Sequence, residues 1–242
     1  FQTGASKLTL SCCGDVMPAP TQSAISHMPK PTPFWWDDAP LAALATKPVA
    51  PTADVAIVGA GYTGLSAAIT LARAGRSVAV FDKMRPGEGA STRNGGIASG
   101  NLTPSFQQLI DKLGQDRAQS IQAEARAARE DLMQFIRAEN LACDFALTGR
   151  FTGASNAGDY DRLAREADLL SKHIGVDAYA LPRAEQKAAL GTDFYHGGLV
   201  RMDIGGLHPA KFHAEMLRVA LAAGATVHGE TAVLKITRTG SG

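Results

Sequence analysis

The sequence is short of cysteine, of net charge and of long apolar runs. It holds three cysteines, Cys12, Cys13 and Cys143. Neighbouring cysteines rarely bond each other and the number is odd, so a disulfide framework is not expected and a reducing compartment fits better. Three cysteines are too few to hold a zinc ion on their own, and the six histidines are scattered. The formal net charge is +1 over 242 residues, which excludes the basic footprint of a nucleic-acid binder. No stretch reaches the ~18 apolar residues expected of a spanning helix. The N-terminus lacks the basic-then-apolar order of a secretory signal. With 45% hydrophobic and 19% charged residues, the expectation is a cytoplasmic globular protein without a membrane span. There is no internal repeat.

Both ends read oddly. The segment from Phe1 to about Asp15 starts without Met and shows no periodicity, so Met17 or Met28 is the expected start. A strand-like run from Thr231 to Ile236 is followed almost at once by Gly242, where a fold rarely stops. The expectation is a C-terminally truncated fragment. Most prolines fall between residues 17 and 53, which marks residues 1–53 as an arm, extended and partly disordered. Both tryptophans lie there, in Pro33-Phe34-Trp35-Trp36-Asp37-Asp38-Ala39-Pro40. Aromatics of this size are packing anchors, so docking on the domain surface is expected. Stacking on a substrate is the alternative.

Glycine is abundant, and it gathers between Gly59 and Gly100. Val55-Ala56-Ile57-Val58 is an apolar run suited to a parallel strand buried on both faces. Gly59-Ala60-Gly61-Tyr62-Thr63-Gly64 then opens a helix from Leu65 to Ala74, with Leu65, Ala68, Ile69 and Ala72 on one face and Gly75 ending it. Ser77 to Phe81 is a second strand, closing on Asp82. Further on, helices are expected over 105–139 (a short one, then Gln115 to Glu139), Tyr160–Ile174, Arg183–Leu190 and Pro209–Ala223. Strands are expected over Leu147–Ala154, Thr226–His228 and Ala232–Thr237, and residues 194–208 as loop and strand. The fold class is α/β, with a Rossmann-like βαβ unit and part of a second α+β domain.

The chemistry of the first glycine turn follows from its spacing. A pyrophosphate needs backbone N–H donors at close range and a helix N-terminus aimed at its charge. Gly59 allows the tight turn, Gly61 leaves room for the phosphates, and Gly64 lets helix and strand pack closely. Asp82 stands 18 residues after Gly64, where a carboxylate can accept both hydrogen bonds of an adenosine ribose. That carboxylate would repel the 2′-phosphate of NADP. NAD and FAD both fit the turn. The second strand leads into another glycine-rich stretch, Gly87 to Gly100, with Ser91, Thr92, Arg93 and Asn94 inside it. Such a loop can run beside an elongated ligand and approach a flat ring, which favours FAD. A plain surface loop, an NAD-linked dehydrogenase and a non-catalytic nucleotide-binding fragment stay open as alternatives.

These features together resemble the D-amino-acid oxidase-like (DAO) superfamily of FAD-dependent oxidoreductases, glycine and sarcosine oxidase-like. The residues that carry the likeness are Trp35-Trp36, the run Asp54 to Asp82, Gly89-Ala90-Ser91-Thr92-Arg93-Asn94-Gly95-Gly96, and Gly206-Leu207-His208-Pro209. Within that superfamily the γ-glutamylputrescine oxidoreductase type is the most similar. The resemblance implies that FAD is held by Gly59, Gly61, Tyr62, Thr63 and Gly64 at the pyrophosphate, and by Asp82 and Lys83 at the adenosine. Gly89, Ala90, Ser91, Thr92, Arg93, Asn94, Gly95 and Gly96 would follow it toward the ring, and the backbone of Val233 would meet the adenine. For Val233 a plain core role is the alternative.

The flavin would be noncovalent, since the second loop has no histidine to attach it. His208 reads as a helix-entry residue, with substrate contact as the alternative, and Cys143 as a buried thiol. The implied reaction is oxidation of an amine or amino acid, with oxygen or a quinone as acceptor and no metal. No residue stands out as a catalytic base. The expected domains are an FAD-binding part (54–103 and about 197–242) and a helical insertion with partial substrate domain (about 104–196). Remaining substrate strands and a last glycine-rich flavin segment would follow Gly242. Residues 1–242 alone are therefore expected to be weak or inactive in turnover.

Overall fold

The computed structural model describes residues 30–45 and 47–237. Cys12, Cys13, Met17 and Met28, and the expected disorder before residue 30, lie outside these. In chain order the helices are α1 (Trp35–Asp38), α2 (Tyr62–Arg73), α3 (Phe106–Leu113), α4 (Gln115–Ala138), α5 (Ala157–Leu169), α6 (Arg183–Leu190) and α7 (Pro209–Ala222). The strands are β1 (Val55–Val58), β2 (Val78–Phe81), β3 (Ile97–Ala98), β4 (Arg150–Gly153), β5 (Ala178–Pro182), β6 (Gly197–Arg201), β7 (Gly205–Gly206) and β8 (Thr226–His228).

The chain divides into two units. One contains Lys30–Ala98, Glu130–Ala146 and the chain from Gly206 onward. Its sheet is parallel, in the order β1-β2-β8. Val55 pairs with Val78 and Val80 with Val227. Helix α2 starts at Gly61, whose extended backbone suits an N-cap, and Gly75 at φ +78° takes the chain away from its end. Helix α7 starts with His208, whose ring accepts from the Lys211 N–H, and with Pro209 at its first position. Leu65, Ala68 and Ile69 of α2 join Phe212, Met216, Leu217 and Ala220 of α7 and Val78, Val80 and Val227 of the sheet in one core. Cys143 is fully buried in the same core. Burial raises its thiol pKa, so it behaves as an apolar filler.

The other unit contains Ser99–Arg129 and Leu147–Gly205. Its sheet is antiparallel, in the order β4-β6-β5, with Arg201 opposite both Arg150 and Ala178. Helix α3 opens with a reciprocal capping box between Ser105 and Gln108. Phe106, Leu109, Ala118, Leu163, Ala167, Leu170 and Leu199 form its core. A buried ion cluster sits there too. Asp203 accepts from Arg201 at Nε (3.0 Å) and Nη2 (2.8 Å), and the Arg129 guanidinium pairs with the same carboxylate. Arg201 also donates to the Asn101 side chain.

Several expectations are corrected. Ala232–Thr237 forms no strand: these residues have no regular structure, and Leu234 and Ile236 are exposed. A strand needs a ladder partner, and none of the described strands supplies one. β1 is parallel, but Ala56 and Val58 are exposed, so it is not covered on both faces. The expected helix Tyr160–Ile174 is α-helical to Leu169 and then widens into a π turn over Leu170–Ile174, ended by Gly175 at φ +67°. The glycine-rich second loop carries a 3₁₀ turn, Ala90–Thr92, and the short β3. β6, within the range expected to belong to the dinucleotide-binding part, pairs instead in the antiparallel sheet, and Glu130–Ala146 packs with the parallel one. The arm holds one turn of helix, α1, and β5 was not anticipated.

Candidate dinucleotide site

The candidate site lies where β1 and β2 end, in the parallel-sheet unit. Gly59 leaves β1 at φ +101°, a conformation that strains any residue with a Cβ, and open space surrounds the position a Cβ would take. A Cβ on Gly64 would overlap the Gly59 carbonyl oxygen and stand 3.3 Å from the Ile57 side chain. Helix α2 touches β1 only because residue 64 is glycine. The first-turn N–H groups of α2 have no carbonyl one turn back to receive them, and that turn contains no acidic residue. An anion is therefore the natural partner of this helix end.

Asp82 completes the turn. Its Oδ2 accepts from the Ala60 N–H at 2.8 Å and its Oδ1 from the Met84 N–H at 3.0 Å. The carboxylate is thus pinned across the mouth of the first glycine turn. Each oxygen retains capacity for a further hydrogen bond, as a pair of ribose hydroxyls would require. Lys83 beside it is exposed. The segment toward Val233 returns to the same place: Thr231 N–H donates to the Asp82 carbonyl at 2.7 Å and Glu230 N–H to that of Met84 at 3.0 Å. Val233 is exposed and lies in no strand, so the plain core role set out as its alternative does not hold.

The second glycine loop is tied to the first. The Tyr62 N–H donates to Ser91 Oγ at 3.1 Å, and a Cβ on Gly61 would stand 2.8 Å from that hydroxyl. Asn94 holds the loop's shape by donating to the carbonyls of Ala90 (3.1 Å) and Ser91 (2.9 Å), while its Oδ1 accepts from the Gly96 N–H at 2.9 Å. Thr92 is fully buried and donates to the Gly87 carbonyl at 2.6 Å. Arg93 donates from Nε to the Glu88 carbonyl at 2.8 Å. Gly89 and Ala90 lead into the 3₁₀ turn, and nothing lies within 4 Å of a Cβ placed on Gly95. Gly96, at φ +69°, has its would-be Cβ against the Leu207 carbonyl, so the loop closes on the entry to α7.

Helix α7 supplies two residues that the sequence did not assign to the site, Pro209 and His213. The Pro209 carbonyl accepts from the Tyr62 hydroxyl at 3.0 Å. Burial pushes that hydroxyl's pKa up to about 12, so it remains a donor throughout the physiological range. His213, 2% exposed, bonds the Ala60 carbonyl through Nε2 at 2.7 Å and packs under Gly87. It therefore braces both glycine loops from beneath. Burial lowers the His213 pKa, so the ring is neutral in the fold and Nε2 carries the donated proton. No local signal links positions 153 residues apart.

The folded pKa of His213 lies below the unfolded value of about 6.5, so protons favour the unfolded chain. Stability should be insensitive to this group above that pH, fall as pH drops through it, and level off below the folded pKa. Denaturation midpoints between pH 8 and pH 5, a window of roughly these values, should show a shallower acid loss in His213→Gln than in the parent. Parallel curves would contradict this.

Two joined glycine turns, a pinned carboxylate and a helix N-terminus without acidic residues mark a dinucleotide-binding α/β protein of the two-loop kind. Comparison with known proteins gives the family: residues 54–242 match the family model described as FAD dependent oxidoreductase, DAO. The chain belongs to the DAO family of FAD-dependent oxidoreductases, whose cofactor is FAD. A probable oxidoreductase, OrdL, of Rhizobium meliloti is 31% identical over 211 residues, covering 86% of this chain and 49% of the relative. The γ-glutamylputrescine oxidoreductase of Escherichia coli is 30% identical over 158 residues, covering 65% of this chain and 37% of the relative. Among solved structures, glycine oxidase from Geobacillus kaustophilus aligns with a TM-score of 0.64 at 23% identity, covering 76% of this chain and 48% of that one. That likeness is one of fold. The chain spans half or less of the length of these curated relatives. No described helix is long and apolar enough to cross a membrane, and no metal-binding cluster occurs among the described residues.

Proposed function

We propose that this chain forms the cofactor-holding part of an enzyme that oxidises an amine or amino acid with noncovalently bound FAD. The observation that carries the reading is the joining of the two glycine loops, Tyr62 N–H to Ser91 Oγ, beside a carboxylate already fixed by Ala60 and Met84. An elongated dinucleotide fits that layout. Gly59, Gly61, Tyr62, Thr63 and Gly64 would face the pyrophosphate, Asp82, Lys83 and Val233 the adenosine, and Gly89 to Gly96 the stretch toward the ring. The residues fit the group: the space beside Gly59 is open, and behind Tyr62, which is tied to Ser91, the Thr63 and Gly64 N–H groups suit an anion.

When bound, the flavin supplies a hydride acceptor for the C–H next to the substrate nitrogen, and the imine so formed is hydrolysed by water. The protein's part is to hold the ring, exclude water and receive the amine in its neutral form, which burial favours over the ammonium. Arg93 and Asn94 shape the loop near the ring and have no proton-transfer role here. The amine class is supported by the names of the relatives, a γ-glutamylputrescine oxidoreductase and a glycine oxidase. The electron acceptor in this reading is oxygen or a quinone, and a cytoplasmic location accords with the cysteine usage.

The test uses the protein that carries this chain. It should purify yellow, release free FAD on denaturation, and lose its visible flavin absorbance when an amine or amino-acid panel is added without oxygen. Flavin that stays oxidised through the whole panel contradicts the amine reading. Colour retained in the denatured polypeptide contradicts the noncovalent one.

A further inference from the structure

The arm before β1 has no part in the fingerprint, yet it meets the second glycine loop at three consecutive residues, Thr92, Arg93 and Asn94. Trp35 donates from its indole N–H to the Asn94 carbonyl at 2.8 Å. Trp36 donates from its indole N–H to Thr92 Oγ at 2.8 Å, and that hydroxyl donates onward to the Gly87 carbonyl at 2.6 Å. The Arg93 guanidinium lies over the Trp36 ring at 4.4 Å, with Arg85 at 5.9 Å. Four consecutive loop positions beginning at Gly87's partner, Thr92 to Gly95, thus include three that meet two neighbouring indoles. One turn of helix, α1, presents both rings at once.

The arm is itself moored. Asp38, at the end of α1, pairs with Lys211 of α7 at 2.6 Å, and Lys211 also meets Asp144 at 2.9 Å. Lys211 beside it holds the Asp38 carboxyl below the usual carboxylate range. His208 stands edge-on to Trp35 at 4.9 Å, and its Nε2 is 3.4 Å from Asp38. Exposed ion pairs of this kind contribute little on their own. The indole contacts carry the docking: that of Trp36 ends on the fully buried Thr92 and that of Trp35 on the Asn94 backbone.

We infer that Trp35 and Trp36 are positioning residues for the cofactor: by docking on Thr92, Arg93 and Asn94 they set the second glycine loop in the shape that receives FAD. The inference rests on the FAD reading above. It turns the arm from a surface strap into a determinant of cofactor affinity. Trp36 acts through the Thr92 hydroxyl, which closes the loop from Gly87 to Thr92. Trp35 acts through the Asn94 backbone, whose side chain fixes Ala90, Ser91 and Gly96.

The experiment compares the parent protein, Trp36→Phe and Trp36→Ala after FAD removal. Two quantities are read: the dissociation constant for added FAD, from quenching of flavin fluorescence, and amide hydrogen exchange of residues 87–96 without FAD. Loss of one indole hydrogen bond alone should weaken FAD about fivefold in Trp36→Phe. Loss of the ring and its cation–π contact as well should bring the Trp36→Ala effect to about a hundredfold. Exchange in the loop should rise in the same order, with the amides of β1 unchanged. A parent that binds FAD while both variants bind it equally well overturns the inference and leaves the FAD reading intact. A parent that does not bind FAD overturns the FAD reading and the inference with it. If Trp36→Ala fails to fold, Trp36→Phe decides on the same two readouts.

Discussion

Gly64→Ala is expected to reduce FAD affinity about a hundredfold or more, the scale on which misplacement by about 1 Å acts at a binding or reacting centre. The added methyl would occupy the position of the Gly59 carbonyl oxygen, and Ile57 closes the other side. The overlapped atom is backbone in the turn leaving β1, so no side-chain rotation can relieve the clash. α2 must withdraw from the strand, and its first-turn N–H groups withdraw with it. The FAD-free protein should also lose about 1–3 kcal/mol, the usual range for overpacking. Gly61→Ala differs in kind. Its methyl would meet only the Ser91 hydroxyl at 2.8 Å, which can rotate away at the cost of its bond from the Tyr62 N–H. FAD-free stability should therefore fall by about one hydrogen bond, about 1 kcal/mol, while the methyl stands where the phosphates approach. Thermal midpoints without FAD and FAD titrations for the two variants separate strain in the fold from blockage of the ligand. Equal FAD affinity for Gly64→Ala and parent would contradict the proposed close packing.

Asp203→Ala is the second large effect, and it falls in the antiparallel-sheet unit. The Asp203 side chain is 10% exposed, Arg129 9% and Arg201 10%. One carboxylate accepts from both buried guanidinium groups. Removing it leaves two charges in a poorly solvated place with their main acceptor gone. Breaking a buried pair from one side typically costs about 3–5 kcal/mol. The loss should appear as a lower urea midpoint, and Asp203→Asn should recover part of it by retaining an acceptor. An Asp203→Ala midpoint equal to the parent's would show that the cluster is solvated and carries no such load.

The parts of the fold legible in the sequence are those whose signals are local. The βαβ unit was readable because an apolar run, a glycine turn, a helical stripe and an acidic residue follow one another within about 30 residues. α3, α4, α6 and α7 were readable from periodicity and from Pro209. β5 was not: Ala178-Tyr179-Ala180-Leu181-Pro182 is short, has no β-branched residue and ends in proline. β6 begins Gly197-Gly198, which reads as loop, yet every one of its residues is buried. Ala232–Thr237 shows the opposite failure, since strand composition does not make a strand without a partner.

In the candidate site, the fingerprint glycines and Asp82 were assigned from spacing, and the structure brings them together with the second loop. The two bonds that fix Asp82, the brace from His213 and the targets of the tryptophans were not legible. Each joins residues far apart in sequence, and only the folded chain makes them neighbours. Docking of Trp35 and Trp36 was expected from their size, but the sequence does not say on which loop.

In the proposed function this glycine architecture holds FAD rather than a nicotinamide dinucleotide. A titration of the FAD-stripped protein with FAD and with NAD, read by flavin fluorescence and by calorimetry with ADP as competitor, separates the two. One FAD per chain, competition by ADP at the Asp82 end, and no NAD binding at concentrations that saturate with FAD are expected. Tighter binding of NAD than of FAD, or no flavin binding at all, would contradict the FAD reading.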